Sequence, residues 1–591
     1  TEKVLAGLFA DILNLDHVGI DDSFFTLGGH SLLAVSLIER IREHGIGVDV
    51  QTLFAAPTVA ALAGAARSRE VSVPANGIPP ESDEITPEMV PLADLTQDEI
   101  KSIAAHIAEG PRNIADIYSL APLQEGIFFH HLMREKDGPD VYEVPAVLSF
   151  ESRDLLDKFV DAFQVLVDRH DVFRTAVVWE GLREPVQVVV RHARVPVIES
   201  HTPIDGPNLI GQLTALDNSA LDIRKAPMVK VQVAPEAGTG HWLALLRMHH
   251  LTRDHSSLDI MLREIRCLMS GRGVELSEPV PYRNFVAQAR LGVPREDHEA
   301  YFTRLLADVT EPTAPYGELQ IREDGSSAHS DECRLDPRVA QRLRREARRL
   351  GVSLAALLHV AWTRVLASLS GRDDVVFGTV LLGRMHAGLG GDRVPGLFIN
   401  TLPVRSAVGP VSVAEAVQAM HAQLAELLRH EHAPLSLAQG VSGIEGQVPL
   451  FTSLLNYRHS PGLYEQRDQI GIEGVELLCA KERTNYPLVV SVDDTGDEIG
   501  LSVQAVSPIQ PSAVSAYMAT AISDLVTRLE TAPDAPLESL RVLSSSEQEK
   551  LLTEWNDTGV EVPSGTLPEL FEAQAERTPQ ATAVVFDNGE V

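Results

Sequence analysis

The sequence predicts a multidomain protein in which a small all-α unit precedes a large α/β block of two lobes. Three observations predict this. At 591 residues the chain is too long for one ordinary core, and about 150 residues per domain gives roughly four units. Residues 1–68 show helical periodicity only. A Pro-rich, acidic stretch, EVSVPANGIPPESDEITPEMVPL, then separates them from about 435 residues of irregularly alternating strand and helix patterns, more than one core accommodates.

In the helical unit, TEKVLAGLFADIL places Val4, Leu5, Leu8, Ile12 and Leu13 on one face. SLLAVSLIERIREHG is a second helix closed by Gly45, and TVAALAGAARS a third, with a short helical turn in VDVQTLFAAP between them. Residues 69–110 read as an exposed linker. In the large block, DLLDKFVDAFQVLVDRH has the helical period, FRTAVVWEGLREPVQVVV reads as two strands about a turn, and GHWLALLRMHH as a buried strand. Farther on, PRVAQRLRREARRLG and SLAALLHVAWTRVLASLSG read as consecutive helices. DDVVFGTVL and FTSLLNYRH read as core strands, and LVVSVDDTGDEIGLSVQAV as a hairpin about Gly496. Two lobes are expected, about 111–290 and 291–545, with a ligand cleft between them. Residues 546–591 hold a linker, one amphipathic helix and one strand, which is less than a domain. The missing initiator methionine and the abrupt end at FDNGEV suggest a piece of a longer polypeptide.

Composition narrows the function classes. Hydrophobic residues make up 44% of the chain, as in soluble globular proteins. No apolar run approaches the roughly 20 residues that span a bilayer, and no signal pattern opens the chain. No membrane partner is expected, and the chain reads as cytoplasmic. A net charge of −33 argues against nucleic-acid binding, because a polyanion is repelled. Cys267, Cys333 and Cys479 are odd in number and widely spaced, which argues against a disulfide framework and a zinc cluster.

Two motifs carry chemistry. In LGGHSLLAV, Gly28 and Gly29 end a loop and Ser31 opens a helix, where a serine can also serve simply as an N-cap. In MHHLTRDHSSLDIML, a strand ends at His249 and His250 and a helix follows. Neighbouring strand residues face opposite ways, so one histidine packs inward while the other can look into a cleft, and a metal shared by the two is disfavoured. Asp254 can order the loop by pairing with a cation. An imidazole with a pKa near ~6.5 can take a proton from a nucleophile and return it to a leaving group. A satisfied pair of core histidines is the competing reading. The chain has no GxSxG elbow and no Walker loop, so any cleft chemistry uses substrates that arrive already activated.

DDSFFTLGGHSLLAV closely resembles the carrier-protein signature of nonribosomal peptide synthetases, in which the serine after GGH receives a 4′-phosphopantetheine arm. The resemblance implies a four-helix carrier domain modified at Ser31 by a phosphopantetheinyl transferase. Residues 111–545 resemble a condensation domain, a V of two chloramphenicol-acetyltransferase-like lobes. Nine segments in family order carry this: YSLAPLQEGIFFH, RHDVFRTAVVWEGLREPVQVV, MHHLTRDHSSL, YRNFVAQARLG, FGTVLLGRM, GLFINTLPVR, HEHAPLSLAQ, LLNYRHS and NYPLVVSV. WNDTGVEVPSGTLPELFEAQAERTP is similar to the lead-in of an adenylation domain.

By this resemblance, His250 is the second histidine of the HHxxxDG motif and the catalytic candidate, with His249 and Asp254 its neighbours in the same motif. Arg174 of RHDVFRT is the arginine expected to pair with Asp254. His255 replaces the motif's glycine. That ending, with FFHHL, FGTVLLGRM and LLRHEHAPLSLAQ, resembles the dual epimerisation/condensation subtype. The second motif of that subtype, HHLxxxxGD, is met in HHLMREKDGPD, His130 to Asp140, by its histidines but not by an adjacent Gly-Asp. Arg253 is a candidate substrate gate: its long cation can project into the reaction channel or reach solvent. The implied reaction joins an aminoacyl or peptidyl thioester on an upstream carrier to the amine of an acceptor on a downstream carrier. The implied partners are the neighbouring synthetase modules. Epimerisation plus condensation, and a non-catalytic carrier-docking module, are the alternatives.

Overall fold

The computed structural model describes residues 1–591 except 30, 47, 49–52, 55–56, 66–70, 81, 134–139, 141, 320–327, 385–392, 445–447, 460–469, 481–483, 485, 562–563, 587–588 and 591. The chain forms two compact units, Thr1–Val542 and Leu543–Val591.

The first unit opens with the helices Glu2–Leu13, Ser31–Glu43 and Val59–Ala65. Their apolar stripes, Leu5, Leu8 and Phe9 against Ala34, Leu37, Ile38, Ile41 and Leu62, make a small core. Phe24 stands at its centre, edge-on to Phe9 at 5.5 Å and to Phe25 at 5.4 Å. Most of the turn expected in VDVQTLFAAP lies outside the described residues; Leu53 and Phe54 are helical and buried. The double glycine before Ser31 has a packing cause. Gly28 has φ +103°, and a Cβ on Gly29 would stand 2.3 Å from the Phe24 ring.

Residues beyond 110 build three sheets. The first is small and antiparallel, in the order β1 (Ile114–Ser119), β4 (Val186–Val190), β3 (Thr175–Val178). The second runs β12 (Val475–Ala480), β2 (Glu143–Phe150), β7 (Trp242–His249), β6 (Val229–Pro235), β5 (Val197–Glu199). The third runs β10 (Asn400–Ala407), β9 (Asp374–Leu381), β11 (Ser453–His459), β13 (Leu488–Asp494), β14 (Ile499–Ala505), β8 (His329–Arg334), with β11 parallel to both of its neighbours. The first two sheets belong to the first lobe and the third to the second. β12 departs from chain order: although it lies within the second-lobe stretch of sequence, it crosses back to pair antiparallel with β2. β7 is covered on both sides, which explains why its sequence reads as a nearly continuous apolar run. Helices Arg153–Arg169 and His255–Met269 pack beside this sheet, burying Leu156, Phe159, Phe163 and Leu166 from one and Ile260, Met261 and Ile265 from the other.

The second lobe is organised on the helix Leu354–Ser370, capped by Ser353 and ended by Gly371 at φ +66°. It is buried almost all round, with Trp362 at 0% exposure. No single helix among the described residues is long and apolar enough to cross a membrane.

In the second unit, the helix Leu567–Arg577 starts with a Thr566–Glu569 capping box, and its apolar residues Leu567 and Phe571 are exposed.

Buried histidines make the first unit acid-sensitive. His298 and His430 meet Nδ1 to Nδ1 at 2.9 Å, so one Nδ1–H donates to the other ring's bare nitrogen, and Tyr301 stacks on His430 at 4.4 Å. Burial lowers His298 to about 4 and His430 to about 3, and lowers His359 to about 4. These groups are neutral when folded and titrate near ~6.5 when unfolded, so the unfolded chain binds more protons between those values. The stability they contribute is fully present above pH ~6.5 and lost as pH falls toward 4, at roughly 2 kcal/mol per histidine by pH 5. Melting curves between pH 7.5 and 4.5 should fall accordingly, and a flat profile would contradict the burial of this pair.

Candidate active site

β7 delivers the two histidines and then ends. His249 is its last residue, His250 opens the 3-10 turn His250–Thr252, and Asp254 is the N-cap of the helix His255–Met269. As alternation requires, the two rings part. His249 is fully buried, while His250 is half-buried with its backbone N–H donated to Tyr142 O at 2.8 Å. Gln124 fastens the turn from below, donating through Nε2 to Leu251 O at 2.8 Å and to Gln187 at 2.9 Å.

Asp254 holds the turn to the second lobe. Its Oδ1 accepts the N–H and hydroxyl of Ser257 at 2.8 and 2.7 Å, and Oδ2 accepts Phe398 N–H at 3.2 Å. Arg384 reaches both oxygens through Nη2, at 2.9 and 3.1 Å; its side chain is 5% exposed and that of Asp254 is 1% exposed. Arg384 also donates to Val394 O at 2.8 Å and lies 4.0 Å over the Phe398 ring. Ser257 Oγ also accepts Gly396 N–H at 2.9 Å and lies 2.8 Å from Gly396 O. Gly396 has to be glycine, since a Cβ there would meet the Tyr282 ring at 2.4 Å.

The expected Arg174–Asp254 pair is therefore corrected: Arg384 is the partner. Arg174 follows the 3-10 turn Asp171–Arg174 into β3, which is antiparallel to β4, and this places its guanidinium on the carbonyls of Val190 and Arg191. The sequence held a signal for Arg384, a cation just past the core strand in FGTVLLGRM. Arg253 is buried at 9% exposure, which removes its solvent-facing reading.

His249 has a second set of partners that the sequence left incomplete. Its Nδ1 accepts Leu251 N–H at 3.2 Å, so its proton sits on Nε2, 3.3 Å from Asp140 Oδ2. The same oxygen lies 2.6 Å from His131 Nδ1. Burial alone would raise Asp140, but the hydrogen bonds from His131 and His249 outweigh it and hold the carboxyl far below the usual carboxylate range. Asp140 is thus the common acceptor of the two rings; residues 134–139, between it and His131, lie outside the described residues. His131, Asp140 and His249 offer ligand atoms within 4.8 Å of one another, but hydrogen bonding already accounts for all three.

Ser31 is the first residue of the helix Ser31–Glu43; its side chain and His30 lie outside the described residues. A helix start suits the phosphate of a pantetheine arm, because its free amides and dipole favour an anion. The carrier rests against the second lobe. Phe25 meets His421 edge-on at 5.8 Å, and Phe54 helps line a cavity of about 70 Å³ with Ser353, His359, Tyr457 and His459.

This arrangement defines a carrier domain joined to a two-lobed acyl-transfer fold, and comparison with known families agrees. Residues 114–552 match the condensation domain and residues 3–66 the phosphopantetheine attachment site, so the chain belongs to the condensation-domain family and carries a phosphopantetheine attachment domain ahead of it. Malpinin synthetase of Mortierella alpina is 44% identical over 592 residues, covering 99% of this chain and 8% of that protein. Malpibaldin synthetase of the same organism is 42% identical over 594 residues, covering 99% and 11%. The chain thus spans about a tenth of the length of these relatives. Among solved structures, a four-domain nonribosomal peptide synthetase bound to AMP and glycine superposes with a TM-score of 0.63 at 15% identity, over 80% of this chain and 37% of that one. The first condensation domain of the calcium-dependent antibiotic synthetase, in complex with a substrate analogue, does so at 0.55 and 17%, over 73% and 100%. Both share the fold.

The ion-pair correction is directly measurable. Arg384→Gln leaves Asp254 buried and uncompensated and should cost about 3–5 kcal/mol of stability in denaturant unfolding, with loss of activity. Arg174→Gln leaves the Asp254 partners in place and should keep activity within a few-fold. The reverse ranking would restore Arg174 as the partner.

Proposed function

We propose that the chain forms an amide bond between an acyl group delivered on its own carrier domain and the amine of an acceptor held by a following module. The observation that carries this is the placement of His250: a half-buried imidazole at a strand end, on a turn that Asp254 and Arg384 pin across the lobes. Attached to Ser31 by a phosphopantetheinyl transferase, the pantetheine arm supplies a thiol that carries the donor as a thioester. The acceptor nitrogen attacks the thioester carbon, the C–N bond forms, the C–S bond breaks, and the amine's proton ends on the departing thiolate. Tethering both partners makes the encounter effectively intramolecular, so positioning contributes much of the acceleration. His250 serves either as the base that takes the ammonium proton or as the group that holds the amine and the developing tetrahedral charge. Arg253, next to Asp254 in the chain, remains the proposed substrate gate on the ground that its long cation can project into the reaction channel. The similarity of WNDTGVEVPSGTLPELFEAQAERTP to an adenylation lead-in supports a following adenylation domain.

The test uses the phosphopantetheinylated chain loaded with an aminoacyl group and offered an aminoacyl acceptor. His250→Ala should cut dipeptidyl-thioester formation by about 10²–10⁴, read by mass spectrometry of the intact carriers. Unaltered turnover would remove His250 from the mechanism and favour a docking role.

The His131–Asp140 pair favours a second reading, epimerisation of the donor before condensation. With its Nδ1–H on Asp140, His131 keeps Nε2 as a basic nitrogen backed by a carboxylate, the arrangement of a general base. In D₂O the donor α-carbon should then acquire deuterium. His131→Asn, which keeps a donor for Asp140 but removes the basic nitrogen, should abolish exchange while condensation persists. No deuterium uptake by the unmodified enzyme would end this reading.

A further inference from the structure

The contact between carrier and second lobe turns on a side chain that the mechanism does not use, His421. It stands on the helix Val413–Arg429, one turn after Gln418. Both residues grip the bend between the helices Pro337–Leu350 and Leu354–Ser370: Gln418 Nε2 donates to Leu350 O at 3.0 Å, and His421 Nδ1 accepts Ser353 N–H at 3.3 Å. Accepting that bond requires a bare Nδ1, so the ring is neutral with its proton on Nε2. Burial lowers the pKa of His421 and outweighs the backbone of Phe54, which favours the charged ring.

The rest of the ring faces the carrier. Phe25 meets it edge-on at 5.8 Å, and Phe54 lies 5.0 Å from Phe25. Both aromatics are buried, at 2% and 5% exposure, and Phe54 lines a cavity whose other walls all belong to the second lobe. At Gly351, where φ is +66°, the bend itself passes close to the carrier loop: a Cβ there would stand 4.0 Å from Thr26 Cγ2. Buried aromatic anchors of this kind carry most of the energy of an interface, while the groups around them mainly exclude water. The cavity beside Phe54 is also lined by Leu381 and Leu382, where β9 ends, and Arg384 follows shortly to pair with Asp254. The carrier is thus held on the part of the second lobe that leads along the chain to the Asp254 contact.

We propose that His421 is a positioning residue for the condensation: its Nδ1 sets the bend at Ser353, and the rest of its ring seats the chain's own carrier through Phe25 and Phe54. This role rests on the reading that this carrier delivers the donor. The two tasks of the imidazole separate chemically. An asparagine at this position can present its oxygen where Nδ1 stands and keep Ser353 N–H satisfied, but it has no ring to set against Phe25.

The experiment compares the full chain with His421→Asn and, on the carrier side, Phe54→Ala, each phosphopantetheinylated. Nuclear relaxation of amides in the helix Glu2–Leu13 reports whether the carrier tumbles with the condensation domain. Melting curves establish that the variants are folded, and if one is not, the other decides. In the unaltered chain the carrier should tumble with the condensation domain, and in each folded variant the ratio of docked to free carrier should fall about tenfold or more. Turnover is then measured with one aminoacyl donor, either on the carrier or as a free N-acetylcysteamine thioester. His421→Asn should slow transfer from the carrier about tenfold or more and leave transfer from the free thioester within about twofold. Independent tumbling in the unaltered chain, unchanged docking in the folded variants, or equal slowing with both donors overturns the proposal. Tumbling is read without turnover, so an inactive chain would end the condensation reading while the seating of the carrier is still decided.

Discussion

The contact between Asp254 and Arg384 is the constraint on which the rest of the site depends. Asp254 caps the helix His255–Met269 in the first lobe, and Arg384 follows β9 in the second. Two carboxylate oxygens receive Ser257, Phe398 and Arg384 together, so the aspartate is almost fully satisfied although nearly excluded from water. A buried pair of this kind adds little net stability over a well-packed apolar substitute, but it has one low-energy geometry, and losing either partner leaves a bare charge. Its value here is therefore geometric: it fixes where the turn carrying His250 sits relative to the second lobe. Gly396 and Tyr282 enforce the same close approach by steric means, since the glycine leaves room only for the aromatic ring beside it.

The same turn is held from its other side by a chain of polar groups with a defined sense. Leu251 N–H fixes the tautomer of His249, that tautomer presents Nε2–H to Asp140, and Asp140 also takes the Nδ1–H of His131. One histidine of the pair is spent on architecture, and its neighbour is left half-buried on the turn. This division follows from strand alternation: at the end of β7 the inward ring meets polar partners, while the outward ring leaves the strand on a 3-10 turn.

Much of this was legible in the sequence because it is local. The strand GHWLALLRMHH, the helix after Asp254, the Gly496 hairpin and the parting of His249 and His250 all follow from periodicity and capping within about 15 residues. The glycine pair before Ser31 was legible as a loop, but its cause, the Phe24 ring against Gly29, was not, since it depends on packing. One error is local: residues 69–110, read as an exposed linker, hold the helix Gln97–His106, started by a Thr96–Glu99 capping box, and bury Ile85, Val90, Ile100 and Ile103 against the first sheet. The other errors are long-range. Arg384 lies 130 positions from Asp254, and no periodicity links them. Arg174, the candidate carried over from a motif, is drawn instead to carbonyls beside β4 by the pairing of its own strand. β12 was placed with the second lobe by chain order, yet its edge pairing with β2 puts it in the first.

That crossing strand bears on how the two lobes can move. Were the lobes joined only through a flexible link, the Asp254–Arg384 pair would have to hold the cleft alone against thermal opening. β12 instead hydrogen-bonds to β2, and β2 pairs with β7 up to His249 itself, through Glu143. A displacement of the second lobe that pulled on β12 would thus be transmitted through two ladders to the strand that ends at the His250 turn. The ion pair and the crossing strand act on the same few residues from opposite directions, so the His250 turn is held by both lobes at once. Substrate has to reach a site whose geometry is already set.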